Sequence, residues 1–294
     1  HSAPGIQNHL IIASVRLPRD DAMPESHART YKAGEVGGYG GVSGKIKKEC
    51  IIQHPGGEVN SARYMPQDDL ILASKGPNAE VYVFDVRQHP STPDPDSPKG
   101  PQVTCSGHSA EGYGLAWSPH VKGQLLSGSY DKLVCMWDVA MSSATCEPTH
   151  VYKGHDAVVE DVSWHAHHGY MFASVGDDRK MNIWDTRTKA ASRTVADAHA
   201  DDINSVDFNP FNEFLLATGG KDRVCKLWDL VSGVFGGSGT WGDNDGDGDD
   251  DGPVSSVHFC AFSFYIPLSV HFRVLLFSII FFCEPVPHCV PQPP

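Results

Sequence analysis

The sequence predicts an all-β protein made by repeating one sheet unit, and three observations carry that expectation. Four segments end in an aromatic residue followed by Asp: VYVFD (81–85), VCMWD (134–138), MNIWD (181–185) and CKLWD (225–229). A histidine precedes that aromatic at a nearly constant distance: His108, His155 and His199 stand 29 residues before Trp137, Trp184 and Trp228, and His54 stands 30 before Phe84. Apolar residues within the units alternate along the chain, the period of a half-buried strand. The distance between successive aromatics drifts (53, 47 and 44 residues) while the His-to-aromatic spacing barely moves, so length variation falls in connecting loops.

Inside each unit two more positions repeat. Six residues before the aromatic stand Asn78, Asp131, Asp178 and Asp222; ten residues before it stand Ser74, Ser127, Ser174 and Thr218. Carboxylate, imidazole, hydroxyl and indole N–H can satisfy one another in series, which makes a buried polar chain tolerable. One Ser-His-Asp set would suggest a nucleophile and its base. A set repeated in several units is a structural network, since catalysis needs one site. The predicted network comprises Ser74, His108, Ser127, Asp131, Trp137, His155, Ser174, Asp178, Trp184, His199, Thr218, Asp222 and Trp228.

This pattern resembles the WD-repeat family over about residues 50–230, and the resemblance implies an all-β propeller with four strands per blade. Longer strings narrow it. QNHLIIASVRLPRDDA (7–22), GGYGGVSGKI (37–46), GEVNSARYMPQ (57–67), VFDVRQHPSTPDP (83–95), EGYGLAWSP (111–119) and GHDAVVEDVSWH (154–165) resemble the histone-binding WD-repeat proteins that include the retinoblastoma-binding proteins. That resemblance implies seven blades, of which this chain supplies about four plus N-terminal strands. It also implies a non-enzymatic subunit of nuclear chromatin-assembly, Polycomb, deacetylase and remodelling complexes, with no cofactor and no metal. A second histone-helix site known in that family needs elements that this sequence does not display. The expected organisation is N-terminal strands and a Gly-rich loop over 1–49, four blades over 50–235, and a disordered acidic-then-apolar tail over 236–294. The opening strand-like NHLIIASVRLP suggests that the chain starts within a fold.

The first strand of each unit ends at Tyr64, Trp117, Trp164 or Phe208, with Ala62, Leu115, Val162 and Val206 two residues earlier on the same face. Four and six residues earlier the chain turns polar: Asn60, Tyr113, Glu160 and Asn204, then Glu58, Glu111 and Asp202. Because a propeller brings these strand starts to one end of its channel, they are expected to form an acidic mouth with an aromatic wall. Such a mouth suits Lys or Arg side chains of an extended peptide. The family resemblance adds His27 and Asp177 to this peptide-binding set, and implies basic histone tails and subunits of chromatin complexes as partners.

Charge agrees with that class of partner. The net charge is −13; six aspartates and Glu284 against Arg273 place −6 of it from Asp243 onward, leaving −7 on the body. A mildly acidic body argues against direct nucleic-acid binding. Eight scattered cysteines without a CxxC pair read as free thiols of a reducing compartment. Neither a membrane nor an obligate homo-oligomer is expected. YGGVSGK (39–45) lacks two required residues of a phosphate loop, and HAHH (165–168) lacks a clear fourth metal ligand. DNDGDG (243–248) opens like a calcium loop but has Val254 where Glu is needed. The apolar run 257–283 is interrupted by His258, Pro267, His271 and Arg273 and is expected not to span a membrane.

Two other readings are carried. WDTR (184–187) resembles the motif by which some WD-repeat proteins dock on a cullin ubiquitin-ligase adaptor, with Arg187 as the contact. An adaptor pull-down with Arg187→Ala separates this reading, because unchanged capture eliminates it. The third reading is a truncated product without independent function, its last blades replaced by the unrelated tail.

Overall fold

The computed structural model describes residues 8–15, 46–94, 96–97, 99–141, 144–231 and 235–240. It is an incomplete β-propeller. The strands are β1 (His9–Val15), β2 (Ile46–Gln53), β3 (Ser61–Met65), β4 (Asp68–Lys75), β5 (Val81–Asp85), β6 (Val103–Cys105), β7 (Leu115–Trp117), β8 (Gln124–Gly128), β9 (Leu133–Asp138) and β10 (Thr145–Cys146). They continue as β11 (His150–Lys153), β12 (Val159–Trp164), β13 (Met171–Gly176), β14 (Met181–Asp185), β15 (Ala190–Val195), β16 (Ile203–Phe208), β17 (Leu215–Gly220), β18 (Val224–Asp229) and β19 (Phe235–Thr240). Blade 1 runs β3-β4-β5-β6, with the short β10 added in parallel at its outer edge; blade 2 is β7-β8-β9-β11, blade 3 β12 to β15, and blade 4 β16 to β19. The innermost strands follow one another around the arc: β3 lies against β7, β7 against β12, and β12 against β16.

The sequence unit and the blade are offset by one strand. β6, β11 and β15 each precede a repeat histidine (His108, His155, His199), yet each closes the blade before it. Consecutive units are thereby laced together, because no blade can complete its ladder without the start of the next unit. STPDPDSP (91–98) reads from its composition as a Pro-rich loop between blades; it lies instead between β5 and β6 of blade 1. Its described residues are mostly exposed, in keeping with the loop reading.

Alternation puts one face of each blade against each neighbour. Ala73, Val81 and Val83 of blade 1 meet Leu115, Trp117, Leu125 and Trp137 of blade 2. Leu126, Val134 and Met136 on the reverse face of blade 2 meet Val162, Trp164, Phe172 and Trp184. Ala173, Val175, Met181 and Ile183 then meet Ile203, Val206, Phe208, Leu216 and Trp228. A ring with too few blades is expected to leave apolar rows such as Val134 and Met136 without a neighbour; these two are instead interior. At the other end, Leu10, Ile12, Cys50 and Ile52 of the β1–β2 hairpin cover Leu72, Tyr82 and Phe84. The N-terminal strands therefore serve as part of a blade and cap blade 1; among the described residues the open faces are that of blade 4 and the outer side of the hairpin, where Ile11 is exposed.

The blade 4 face has a measurable consequence. Leu227 is 38% exposed, whereas Ile183, two residues before the Asp185 that aligns with Asp229, is 3% exposed under blade 4. An open row of this kind promotes association. Light scattering of the chain is expected to show concentration-dependent growth, and Leu227→Lys to reduce it; a monodisperse monomer at all concentrations contradicts this.

Candidate functional site

The polar network is complete in blades 3 and 4. His155 Nδ1 lies 3.0 Å from Asp178, its Nε2 2.7 Å from the Ser174 hydroxyl, and Trp184 Nε1 donates to that hydroxyl at 2.8 Å. His199, Asp222, Thr218 and Trp228 repeat the arrangement at 3.0, 2.7 and 2.8 Å. The aspartate also shapes the adjoining turn: Asp178 and Asp222 accept from the N–H of Lys180 and Val224, and Arg179 and Arg223 adopt φ of 60° and 63°. Burial raises the Asp178 carboxyl, but the hydrogen bonds from His155, Asp156 N and Lys180 N, with the charge of His155, together outweigh this and hold it below its ordinary value.

Blades 1 and 2 depart from that scheme. Blade 1 has Asn78 and Phe84 in place of Asp and Trp, and keeps the His54–Ser74 contact at 2.9 Å. In blade 2 His108 holds Asp131 at 2.9 Å, but its other nitrogen lies 3.2 Å from the Ser127 carbonyl oxygen, and the Trp137 indole donates to the Ser106 carbonyl at 2.8 Å. The Ser127 hydroxyl instead accepts from Lys75 of blade 1 at 2.6 Å. The series expected for Ser127, His108 and Trp137 is thus broken by a competing donor from the adjacent blade.

The strand starts converge as one rim. Asn60 Nδ2 donates to Glu111 Oε2 at 3.0 Å across blades 1 and 2. The Tyr113 and Tyr130 rings lie 6.1 Å apart, and burial, then the Tyr113 phenol and the charges of Glu160 and Glu111, push the Tyr130 phenol up to about 12. Glu160 hydrogen-bonds Asp177 and feels the charge of Asp202; burial first, then Asp177, raises its carboxyl to about 7. Asp177 is raised for the same reasons, burial and the charge of Asp202. Lys221 Nζ closes the series on Asp202 Oδ2 at 3.1 Å. Glu58 and Asn204 stand at the corresponding strand starts of blades 1 and 4, without a side-chain bond into this series among the described residues. His27 lies outside the described residues, as do 39–45, 243–248 and 257–283.

The rim has a second ring that spacing could have revealed in full. Tyr130, Asp177 and Lys221 each immediately precede the network aspartate. Their N–H groups donate to the carbonyls of Glu111, Val158 and Asp202, at 2.9, 3.0 and 2.8 Å. Reading that one position in every unit would have selected Tyr130 and Lys221 along with Asp177. Asp161 gave no such signal. Instead of facing the mouth with Glu160, it accepts from Val162 N at 2.9 Å and from Val206 N of blade 4 at 3.1 Å, beside a bulge in β12. Its carboxyl, raised to about 6 by burial, joins two blades.

Other candidates are accounted for by local contacts. His165 Nδ1 accepts from His167 N and His168 N, both at 3.0 Å, and its Nε2 donates to the Glu213 carbonyl at 2.9 Å. Both ring nitrogens of HAHH's first histidine are therefore engaged. Arg187 is bound to Asp185 at 2.6 Å and lies over the Tyr170 ring at 3.6 Å. Arg87 pairs with Asp85 and Asp68. The five cysteines among the described residues are free thiols.

Three segments match the family described as WD domain, G-beta repeat: residues 99–138, 146–185 and 192–229. The chain carries WD repeats. Each WD match begins before the repeat histidine and ends at the aspartate after the tryptophan, so it spans the last strand of one blade and three strands of the next. The unit ending at Phe84 lies outside these three matches; it is the one that lacks both the network Asp and the Trp. WD repeats of this kind indicate a scaffold for protein interaction.

Proposed function

We propose that this WD-repeat protein is a non-enzymatic scaffold that binds a basic histone tail, or a tail-like peptide of a partner, at the rim formed by Asn60, Glu111, Tyr113, Glu160, Asp177 and Asp202. On this reading it acts in nuclear chromatin-modifying and chromatin-assembly complexes. One observation carries the reading: carboxylates from three blades and two tyrosines lie in one hydrogen-bonded and charge-coupled series at a single end of the arc. Isolated surface acids are well solvated and gain little from an exposed cation. Carboxylates crowded as these are, with Asp177 disfavouring ionisation of Glu160 and Asp202 disfavouring that of both, gain more from an arriving ammonium or guanidinium. The tyrosine faces offer the same cation a second favourable surface.

Lys221 sets a direction on the rim. It already neutralises part of Asp202, so the most negative stretch runs from Glu111 to Asp177. Titrating a fluorescent basic histone-tail peptide into the protein tests the proposal. Binding that weakens steeply as salt rises is expected. No binding at low salt, or binding indifferent to salt, rejects it.

A further inference from the structure

The blade 2 part of the rim lacks the strand support that blades 3 and 4 have. β12 and β16 begin at Val159 and Ile203, so Glu160 and Asn204 lie within paired strands. β7 begins only at Leu115, leaving Glu111 to Gly114 outside the ladder. Something else must hold them. The Ser129 hydroxyl reaches the carbonyl oxygens of Ala110 and Glu111, each at 2.8 Å. Tyr130 N donates to Glu111 O at 2.9 Å, and Gly128 N to Gly114 O at 3.1 Å. These anchors are the last residue of β8, Gly128, and the two residues that follow it, Ser129 and Tyr130.

That end is gripped from blade 1. The Lys75 side chain is 0% exposed. Its Nζ donates to the Ser127 hydroxyl and to the Gly128 carbonyl. Its own carbonyl accepts from Asn60 N at 2.8 Å, and Asn60 in turn donates to Glu111. Gly112 lies directly over this junction: a Cβ there would come within 2.4 Å of Gly128 O and 2.8 Å of Lys75 Nζ. A lysine is rarely buried this fully without a carboxylate bonded to it. The cost is offset here by two hydrogen bonds, and by the charges of Asp131 and Glu111, which work against the depression of its amine by burial to about 7.

We infer that Lys75 is a positioning residue for the peptide rim: by tying Ser127 and Gly128 of blade 2 to blade 1, it fixes the unladdered segment from Glu111 to Tyr113 at its distance from Asn60. The inference rests on the proposed peptide-binding role of that rim. Lys75 itself touches no ligand; it acts through the end of β8.

Two measurements test it, and one of them needs no ligand. Amide hydrogen exchange in Lys75→Met is expected to speed up about tenfold or more at Gly128 and Tyr130, whose N–H groups hold the segment, while the Asp177 amide of blade 3 stays unchanged. In peptide titrations Lys75→Met is expected to weaken binding about tenfold. Glu111→Gln should then add little further loss, while Asp202→Asn multiplies in full. Equal acceleration at Gly128, Tyr130 and Asp177 means a general loosening and overturns the inference, as does no acceleration at all. Independent multiplication of Lys75→Met and Glu111→Gln overturns it too. Should Lys75→Met fail to fold, Ser127→Ala, which removes one acceptor of the amino group, is expected to give the same pattern at smaller amplitude. Failure of the wild-type protein to bind peptide removes the proposed function, whereas the exchange experiment still decides whether Lys75 holds the segment.

Discussion

Glu111→Lys combined with Glu160→Lys is expected to weaken binding of a basic tail peptide by roughly 100-fold or more, with the circular-dichroism spectrum unchanged. The two residues belong to different blades and flank the Tyr113–Tyr130 wall, so their reversal puts positive charge on both sides of it. Glu160 is the stronger lever. Its neighbours include Asp177, Asp202 and Asp161, and a lysine there would turn a carboxylate cluster that attracts a cation into one that is already neutralised. Glu111 is held by Asn60, so its replacement also breaks the link between blades 1 and 2 at the rim. Unaltered affinity in the double variant rejects the acidic-rim mechanism. The same chemistry gives binding by the wild-type protein a pH profile. With its carboxyl raised to about 7, Glu160 is substantially protonated at pH 6 and ionised at pH 8. A cationic ligand needs the ionised form, so affinity rises through that interval and levels off above it.

Asp178→Ala is expected to destabilise blade 3 by about 3 kcal/mol at neutral pH, measured by urea unfolding. Three donors lose their acceptor at once: His155 Nδ1, Asp156 N and Lys180 N, at 3.0, 2.9 and 3.1 Å. The imidazole then loses the group that orients it toward Ser174, and the Ser174–Trp184 contact loses its support. The sign with pH follows from linkage. The folded-state carboxyl of Asp178 lies below its ordinary value, so its contribution is present above the ordinary carboxylate range and is lost as pH falls through the folded value. The gap between wild type and variant therefore narrows on acidification below about pH 4. A gap under 1 kcal/mol at pH 7, or one that does not narrow in acid, contradicts the role given to the network.

Much of this architecture could be read from spacing. The constant interval from histidine to tryptophan, with Asp and Ser or Thr at set positions between, marks a local hydrogen-bonding unit. Its groups meet within one blade, at separations of 10 to 23 residues along the chain. The rim was legible for a similar reason: strand starts aligned on Tyr64, Trp117, Trp164 and Phe208 keep their register wherever the blades sit. Tyr130 and Lys221 were within reach of the same alignment, one residue before the network aspartate.

Contacts between blades were not legible. A carboxylate in Val158-Val159-Glu160-Asp161-Val162 reads as a polar interruption, and only the neighbouring strand shows that Asp161 is needed to receive Val206 N. Lys75 reads as a solvated end of a strand, yet it is buried and takes the Ser127 hydroxyl from its expected partner. The sequence by itself determined the repeat, the polar network of blades 3 and 4, and the gathering of acids at the strand starts. The tertiary structure alone decided which strand completes which blade, that β1–β2 covers blade 1, and which donors win the hydroxyls and carboxylates at the seams. The physical reason is range: alternation and fixed spacing report what a segment can satisfy within itself, while pairing across a seam depends on residues about 50 positions away that local chemistry does not specify.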